Sequence, residues 1–276
     1  MTDKIAVSVI IPVLNEEPNL AECLTRLGAF DEVIVVDSAS EDRTCQIAND
    51  HGAQVVQFHW DGHYPKKRNW ILLNHRFRND WVLFLDADEL VTTDFCREVS
   101  VAIQESQYVG FWLRYTNYFL GRPLKHGDPQ RKLALFKVGH GLYEKIDEDA
   151  WSSLDMEVHE HPVIEGAIGE IAAPIDHRDD RGLAKFIERH KDYALWEAQR
   201  TIQIRGAGNN VWDQLTDRQK KKYRHIDKWW FASAYFTSSY IVKRGFLDGS
   251  SGFSYALYKL WYFWTIRLLI QERTTF

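Results

Sequence analysis

Three apolar, β-branched runs in the first ninety residues each stop at a carboxylate or an amide, and this spacing constrains the fold more than any other feature of the chain. The run at 7–13 leads into Asn15-Glu16-Glu17, the run at 32–36 ends at Asp37, and the run at 81–85 ends at Asp86-Ala87-Asp88. Between the first two, Leu20, Cys23, Leu24 and Leu27 recur at helical spacing and Gly28 is a natural stop. Residues 38–44 are rich in capping side chains and lead into a helix to about His51. A third strand is predicted at 53–58, with helices at 66–74 and 93–104. Near-continuous apolar strands alternating with helices indicate an α/β fold with a mostly parallel central sheet and helices on both faces. Such sheets bind ligands beyond the C-terminal ends of their strands. The polar residues after strands one, two and four therefore converge on one crevice.

Beyond about residue 109 the rhythm changes. Residues 111–118 and 132–138 read as strands joined by a Gly/Pro-rich connection at 121–130, followed by an acidic, His-containing stretch at 147–161. A helix is predicted at 183–204, broken by 206–210. Trp, Tyr and Phe form 14% of the chain and crowd toward its C-terminus, where aromatic-rich helices at 228–241 and 253–270 flank Gly245-Phe246-Leu247-Asp248-Gly249. The second helix nearly matches a bilayer in length, but Lys259 and Arg267 interrupt it, which argues against a membrane span. Two readings stay open: an interfacial helix in peripheral contact with a membrane, with Trp and Tyr at headgroup level, or two helices packed on the catalytic domain. The expected division is a catalytic domain over 1–225 and a C-terminal helical segment over 226–276.

The 276 residues suit one large α/β domain, or one domain plus a short appendage, and the net charge of −5 argues against a nucleic-acid partner. Cys23, Cys45 and Cys96 match no zinc or redox spacing, and an odd count fits a reducing, cytoplasmic compartment. The short apolar run from Ile5 reads as a strand, not a signal peptide.

The acids after the fourth strand carry the chemistry. Two carboxylates one residue apart on a turn can face the same Mg²⁺ or Mn²⁺ ion and leave positions open for phosphate oxygens, so that charge on a departing diphosphate is neutralised. The competing reading is N-cap and first-turn acids of the next helix. Asp37 occupies the place where dinucleotide folds bind a ribose hydroxyl, and here it is a candidate for ribose or base. The Gly-rich fingerprint is absent from the first loop, which argues against NAD. Lys66-Lys67-Arg68 could hold a diphosphate or form a solvated basic face. Asp155-Met156-Glu157-Val158-His159-Glu160-His161 offers a carboxylate base for an acceptor hydroxyl, or a polar strand edge. His177 is a further candidate metal ligand, although a lone His is more often structural.

These residues together resemble glycosyltransferase family 2, of the GT-A fold. The resemblance rests on Val9-Ile10-Ile11-Pro12-Val13-Leu14-Asn15-Glu16, on Val33 to Thr44 around Asp37, and on Phe84-Leu85-Asp86-Ala87-Asp88-Glu89. Lys66, Arg68, Arg131 to Phe136, Val158-His159-Glu160 and the 245–249 motif make it similar to bacterial lipopolysaccharide-core β-glucosyltransferases. The resemblance implies a nucleotide-sugar donor, often UDP-linked, direct displacement with inversion, and a lipid-linked or surface glycan acceptor on the cytoplasmic side. It implies Pro12, Asn15, Glu16, Asp37, Lys66, Arg68 and Asp86 at the donor, Asp88 on Mg²⁺ or Mn²⁺, and Glu160 as base with Asp155 and Glu157 behind it. Two rivals are a nucleotidyltransferase, which would usually carry a Gly-rich first loop, and a nucleotide-sugar-binding scaffold without catalysis.

Overall fold

The computed structural model describes residues 4–104, 107–146, 151–152, 155, 162–178, 182–207 and 209–275. They group into two compact units, the first of 1–116 with 130–178 and the second of 117–129 with 179–276.

The first unit begins with β1 (Ile5–Val13), α1 (Glu17–Arg26), β2 (Phe30–Asp37), α2 (Thr44–Asp50), β3 (Gln54–Gln57), α3 (Lys67–Asn74) and β4 (Trp81–Phe84). There follow a two-residue β5 (Glu89–Leu90) and α4 (Thr93–Ala102), whose N-cap Thr92 accepts the Phe95 N–H at 3.1 Å. β6 (Gly110–Phe119) crosses into the second unit, which holds β7 (Arg122–Leu124). The first unit resumes with β8 (Gln130–Lys137), β9 (Gly141–Tyr143), β10 (Pro162–Ile164) and β11 (Ile168–His177). The sheet order is β3-β2-β1-β4-β8-β6-β11-β5. The first four strands are parallel, with Val13 beside Asp37 and Ile10 beside Phe84. β8 adds antiparallel to β4, β6 antiparallel to β8, and β5 antiparallel to β11.

The expected α/β fold with a central sheet and surrounding helices is therefore present. β1 is buried at every position but one and β4 at all four, the pattern of strands covered on both faces. Phe84 stacks on Phe136 at 5.9 Å and meets the edge of Tyr143 at 5.4 Å, tying β4 to β8 and β9 beneath the site. The parallel order brings the ends of β1, β2 and β4 to the same side of the sheet.

The second unit contains α5 (Gly182–Gly206), α6 (Asn209–Gln214), α7 (Asp217–His225), α8 (Phe231–Phe236), a π-helical turn (Thr237–Val242), a 3₁₀ turn (Gly245–Asp248) and α9 (Gly249–Thr275). α9 buries Tyr262, Ile266 and Ile270, which pack with Ala194 and Ala198 of α5 and with Ile226. The start of α9 lies so close to the preceding turn that a Cβ on Gly252 would stand 2.2 Å from the Gly245 carbonyl, which excludes any other residue there. Among the described residues no helix is long and apolar enough to cross a membrane.

Candidate active site

The site is built at the ends of β1, β2 and β4 and on the strands that flank them. After β1 the backbone turns through Asn15 at φ 55°, a left-handed conformation that Asn tolerates better than most residues. Its N–H donates to Ser40 Oγ at 2.8 Å, and its Oδ1 accepts the Glu41 N–H at 2.9 Å. The Glu16 N–H donates to Thr44 Oγ1 at 2.9 Å, and Arg43 pairs with Glu17 at 2.7 Å. The loops after β1 and β2 are thus laced together. Asp37, buried at the end of β2, accepts the Ser40 N–H at 3.0 Å and the Ser40 hydroxyl. Burial opposes its ionisation, but these hydrogen bonds outweigh burial and hold its carboxyl below the ordinary value.

At the end of β4, Asp86 is gripped from two sides. Arg68 Nη2 donates to Oδ1 at 3.0 Å, and Lys132 Nζ donates to Oδ2 at 2.7 Å and also to Glu89. Glu89 in turn accepts the Asp86 N–H at 3.1 Å. Arg68 comes from α3 and lies 5.2 Å from the Tyr143 ring; Lys132 comes from β8 and lies 5.1 Å from the Tyr115 ring. Burial works against the Asp86 charge, yet Lys132 and Arg68 hold its pKa far below the carboxylate range. The same ion pairs overcome burial at Lys132 and hold it well above the usual lysine value, whereas burial pushes Glu89 upward.

Asp88 faces a different partner. Its Oδ1 lies 3.5 Å from His177 Nε2, and its carbonyl accepts the Arg178 N–H at 2.8 Å. β5 and β11 create this meeting, since Glu89 pairs with His177 in the antiparallel register. Burial disfavours charge on both side chains, but their mutual attraction prevails, lowering the Asp88 pKa and raising that of His177. Three acids, Asp86, Asp88 and Glu89, therefore stand against Arg68, Lys132 and an imidazole. A buried carboxylate facing a partly exposed imidazole suits the protein's share of a Mg²⁺ or Mn²⁺ site, which takes one or two carboxylates and leaves the rest to phosphate oxygens and water. Among the described residues no set of three His, Cys, Asp or Glu side chains is arranged to hold a metal on its own.

The remaining sequence-predicted residues fall as follows. Pro12 is buried inside β1 beside Val36. Lys66, at the N-cap of α3, is buried with its Nζ 5.6 Å from the Trp60 ring. Asp155 accepts from the Ser38 hydroxyl and pairs with Lys67 at 3.0 Å. Glu157, His159 and Glu160 lie outside the described residues. Two side chains were given no role from sequence, Lys132 and Glu89, whereas Lys67, expected with its basic run to hold a diphosphate or to lie on a solvated face, is buried and donates to the Val13 carbonyl at 2.9 Å. The signal for Lys132 was a cation in a strand otherwise becoming apolar.

A family model described as Glycosyl transferase family 2 matches residues 8–152. An uncharacterized glycosyltransferase of Rickettsia conorii is 26% identical over 262 residues, covering 92% of this chain and 84% of that protein. A lipopolysaccharide core biosynthesis glycosyltransferase of Rhizobium meliloti is 27% identical over 178 residues, 61% of each chain. The crystal structure of S. aureus TarS 1-349 superposes with a TM-score of 0.45 at 17% identity, covering 98% of this chain and 91% of that one.

Proposed function

The chain belongs to glycosyl transferase family 2, and on that premise we propose that it moves a sugar from a UDP-linked donor to a lipid-linked or cell-surface glycan, inverting the anomeric carbon. The reaction would run at the cytoplasmic face of the membrane. The observation that carries the reading is the cluster of Asp86, Asp88, Glu89, Arg68, Lys132 and His177 at the end of β4. A nucleotidyltransferase or a non-catalytic scaffold has no comparable support.

In this reading Asp88 and His177 hold a Mg²⁺ or Mn²⁺ ion, which when bound supplies positive charge against the departing diphosphate. Arg68 and Lys132 fix Asp86 and keep it ionised, so that it accepts hydrogen bonds from donor hydroxyls rather than giving them. Asp37, held ionised by Ser40, takes the ribose or the base. Pro12 in the end of β1 and Asn15 and Glu16 in the loop after it wall the nucleotide, and Lys66, beside Trp60, completes the donor-binding set. Glu160 removes the acceptor hydroxyl proton as that oxygen attacks the anomeric carbon. Asp155 is a weaker choice for the base, because Ser38 and Lys67 already engage its carboxylate.

Release of UDP from a UDP-sugar panel with Mn²⁺ and a membrane extract tests this directly. Asp88→Ala should abolish Mn²⁺-dependent UDP binding in calorimetry. Glu160→Gln should keep that binding while slowing transfer about 10²–10⁴-fold. Near-normal turnover by Asp88→Ala refutes the metal assignment, and pyrophosphate in place of UDP refutes the reaction class.

A further inference from the structure

α9 is apolar on two faces. One is covered by Ala194 and Ala198 of α5 and by Phe231 of α8, whose ring meets Phe263 at 5.2 Å. The other carries Phe253, Leu257, Trp261, Trp264 and Leu268, each between 36% and 48% exposed. At 3.6 residues per turn these five fall within an arc of about 80°. They form one continuous stripe along roughly four turns of helix. The stripe continues beyond the start of α9, since Tyr240 packs against both Phe253 (5.6 Å) and Phe246 (6.3 Å). There the exposed Ile241, Val242, Phe246 and Leu247 surround the exposed cations Lys243 and Arg244.

Charge identifies what covers this face. Residues 217–276 hold eleven Lys and Arg against four Asp and Glu, a net of +7, in a chain whose total is −5. The remaining 216 residues are therefore at −12. A second copy of the chain would bring an equally cationic surface against this one. An anionic bilayer supplies both the apolar interior for the stripe and the opposite charge for its rim. Trp261 and Trp264 have the amphipathic ring that settles at headgroup depth, and Arg267, 4.9 Å from the Trp264 ring, can extend its charge toward the phosphates. A helix with charged residues within its length lies along the interface and does not cross it.

We propose that the second unit docks on an anionic lipid bilayer through α9 and the 241–247 segment, with α9 in the plane of the headgroups. The proposal concerns a surface remote in sequence from Asp86 and Asp88, and its test does not involve sugar transfer, so the two readings fail separately.

The test is flotation of the full chain with vesicles of phosphatidylcholine alone or with 30% phosphatidylglycerol. The wild type should float with the anionic vesicles at least tenfold more than with the neutral ones, and 0.5 M NaCl should reduce that difference. Leu257→Glu with Trp264→Glu should lower binding at least tenfold. Lys243→Glu with Arg244→Glu should reduce binding to the phosphatidylcholine level. Melting temperature and UDP binding serve as folding controls, and the milder Leu257→Gln replaces any variant that fails them. Absence of flotation overturns the proposal, as does equal binding to both vesicle types or retained binding by Leu257→Glu with Trp264→Glu. So does a wild-type dimer in sedimentation that the same pair of substitutions renders monomeric, which would assign the face to a second copy.

Discussion

Lys132 reaches across 46 residues of sequence to Asp86 and 43 to Glu89. Removing it leaves two carboxylates with Arg68 and the His177 imidazole to answer them. Lys132→Met should therefore cost about 1–2 kcal/mol at neutral pH, between an exposed and a fully buried ion pair, because Lys132 and Asp86 are 27% and 33% exposed while Glu89 is buried. The pH dependence has a definite sign. The pKa of Asp86 is depressed in the folded protein, so its contribution is present above the ordinary carboxylate value of about 3.9 and is lost as pH falls below it. The gap between wild type and Lys132→Met should hold from pH 7 to about pH 4 and shrink as urea unfolding is repeated from about pH 4 toward pH 2. A gap that stays constant would mean that Lys132 stabilises by packing alone. Asp37 behaves alike: Ser40→Ala should cost about 1.5 kcal/mol at pH 7, fading through the same window. The acids were legible in the sequence because each ends an apolar strand. Arg68 was legible as a candidate cation, but its pairing with Asp86 and the part of Lys132 were not, because these partners come from distant segments that only the fold brings together.

At the level of elements, burial on α9 switches within two positions. Ile266 is fully buried among Ala194, Ala198, Ile226, Tyr262 and Ile270, whereas Leu268 is 48% exposed. Ile266→Ala should cost about 3 kcal/mol in chemical unfolding, while Leu268→Ala should stay within about 0.5 kcal/mol. Equal costs would refute the assignment of inner and outer faces. The sequence expected helices at 183–204 and 253–270, and α5 and α9 extend both ranges. It expected strands at 111–118 and 132–138, and β6 and β8 lie there within two residues. The elements it missed are instructive. β11 buries only Ile171 and Ile175 fully among ten residues, and β5 is two residues long, so neither carries a periodic apolar signal. Yet their pairing sets His177 beside Asp88. The candidate ligand could be named from its residue type, but its partner depended on strands too weak to read.

For the whole molecule, the consequential feature is that the chain enters the second unit twice. It leaves the first unit after Thr116 and returns at Gln130, with Tyr115 and Gln130 paired across β6 and β8. Several contacts hold the excursion within its own unit. The Gly127 N–H donates to the Lys243 carbonyl at 3.0 Å, the His126 N–H donates to Asp248 at 2.9 Å, and the Tyr235 hydroxyl donates to Asp128. Gly127 adopts φ 85°, a left-handed backbone conformation in which any residue with a Cβ is strained. A chain cut after residue 178 would lose every one of these partners, leaving fourteen residues between Tyr115 and Gln130 as an unsupported loop. Replacing 116–129 by Asn-Gly, which favours the two-residue turn matching the twist of an antiparallel pair, should close β6 onto β8 at lower entropic cost. The loop-length term alone favours the shortened chain by about 1.7 kcal/mol. For a chain of this size that corresponds to a melting temperature about 4–6 °C above that of the unmodified 1–178 fragment in a calorimetric scan. If the unmodified fragment melts as high as the shortened one, residues 117–129 hold their conformation without 182–276, and the division of the chain into these two units is wrong.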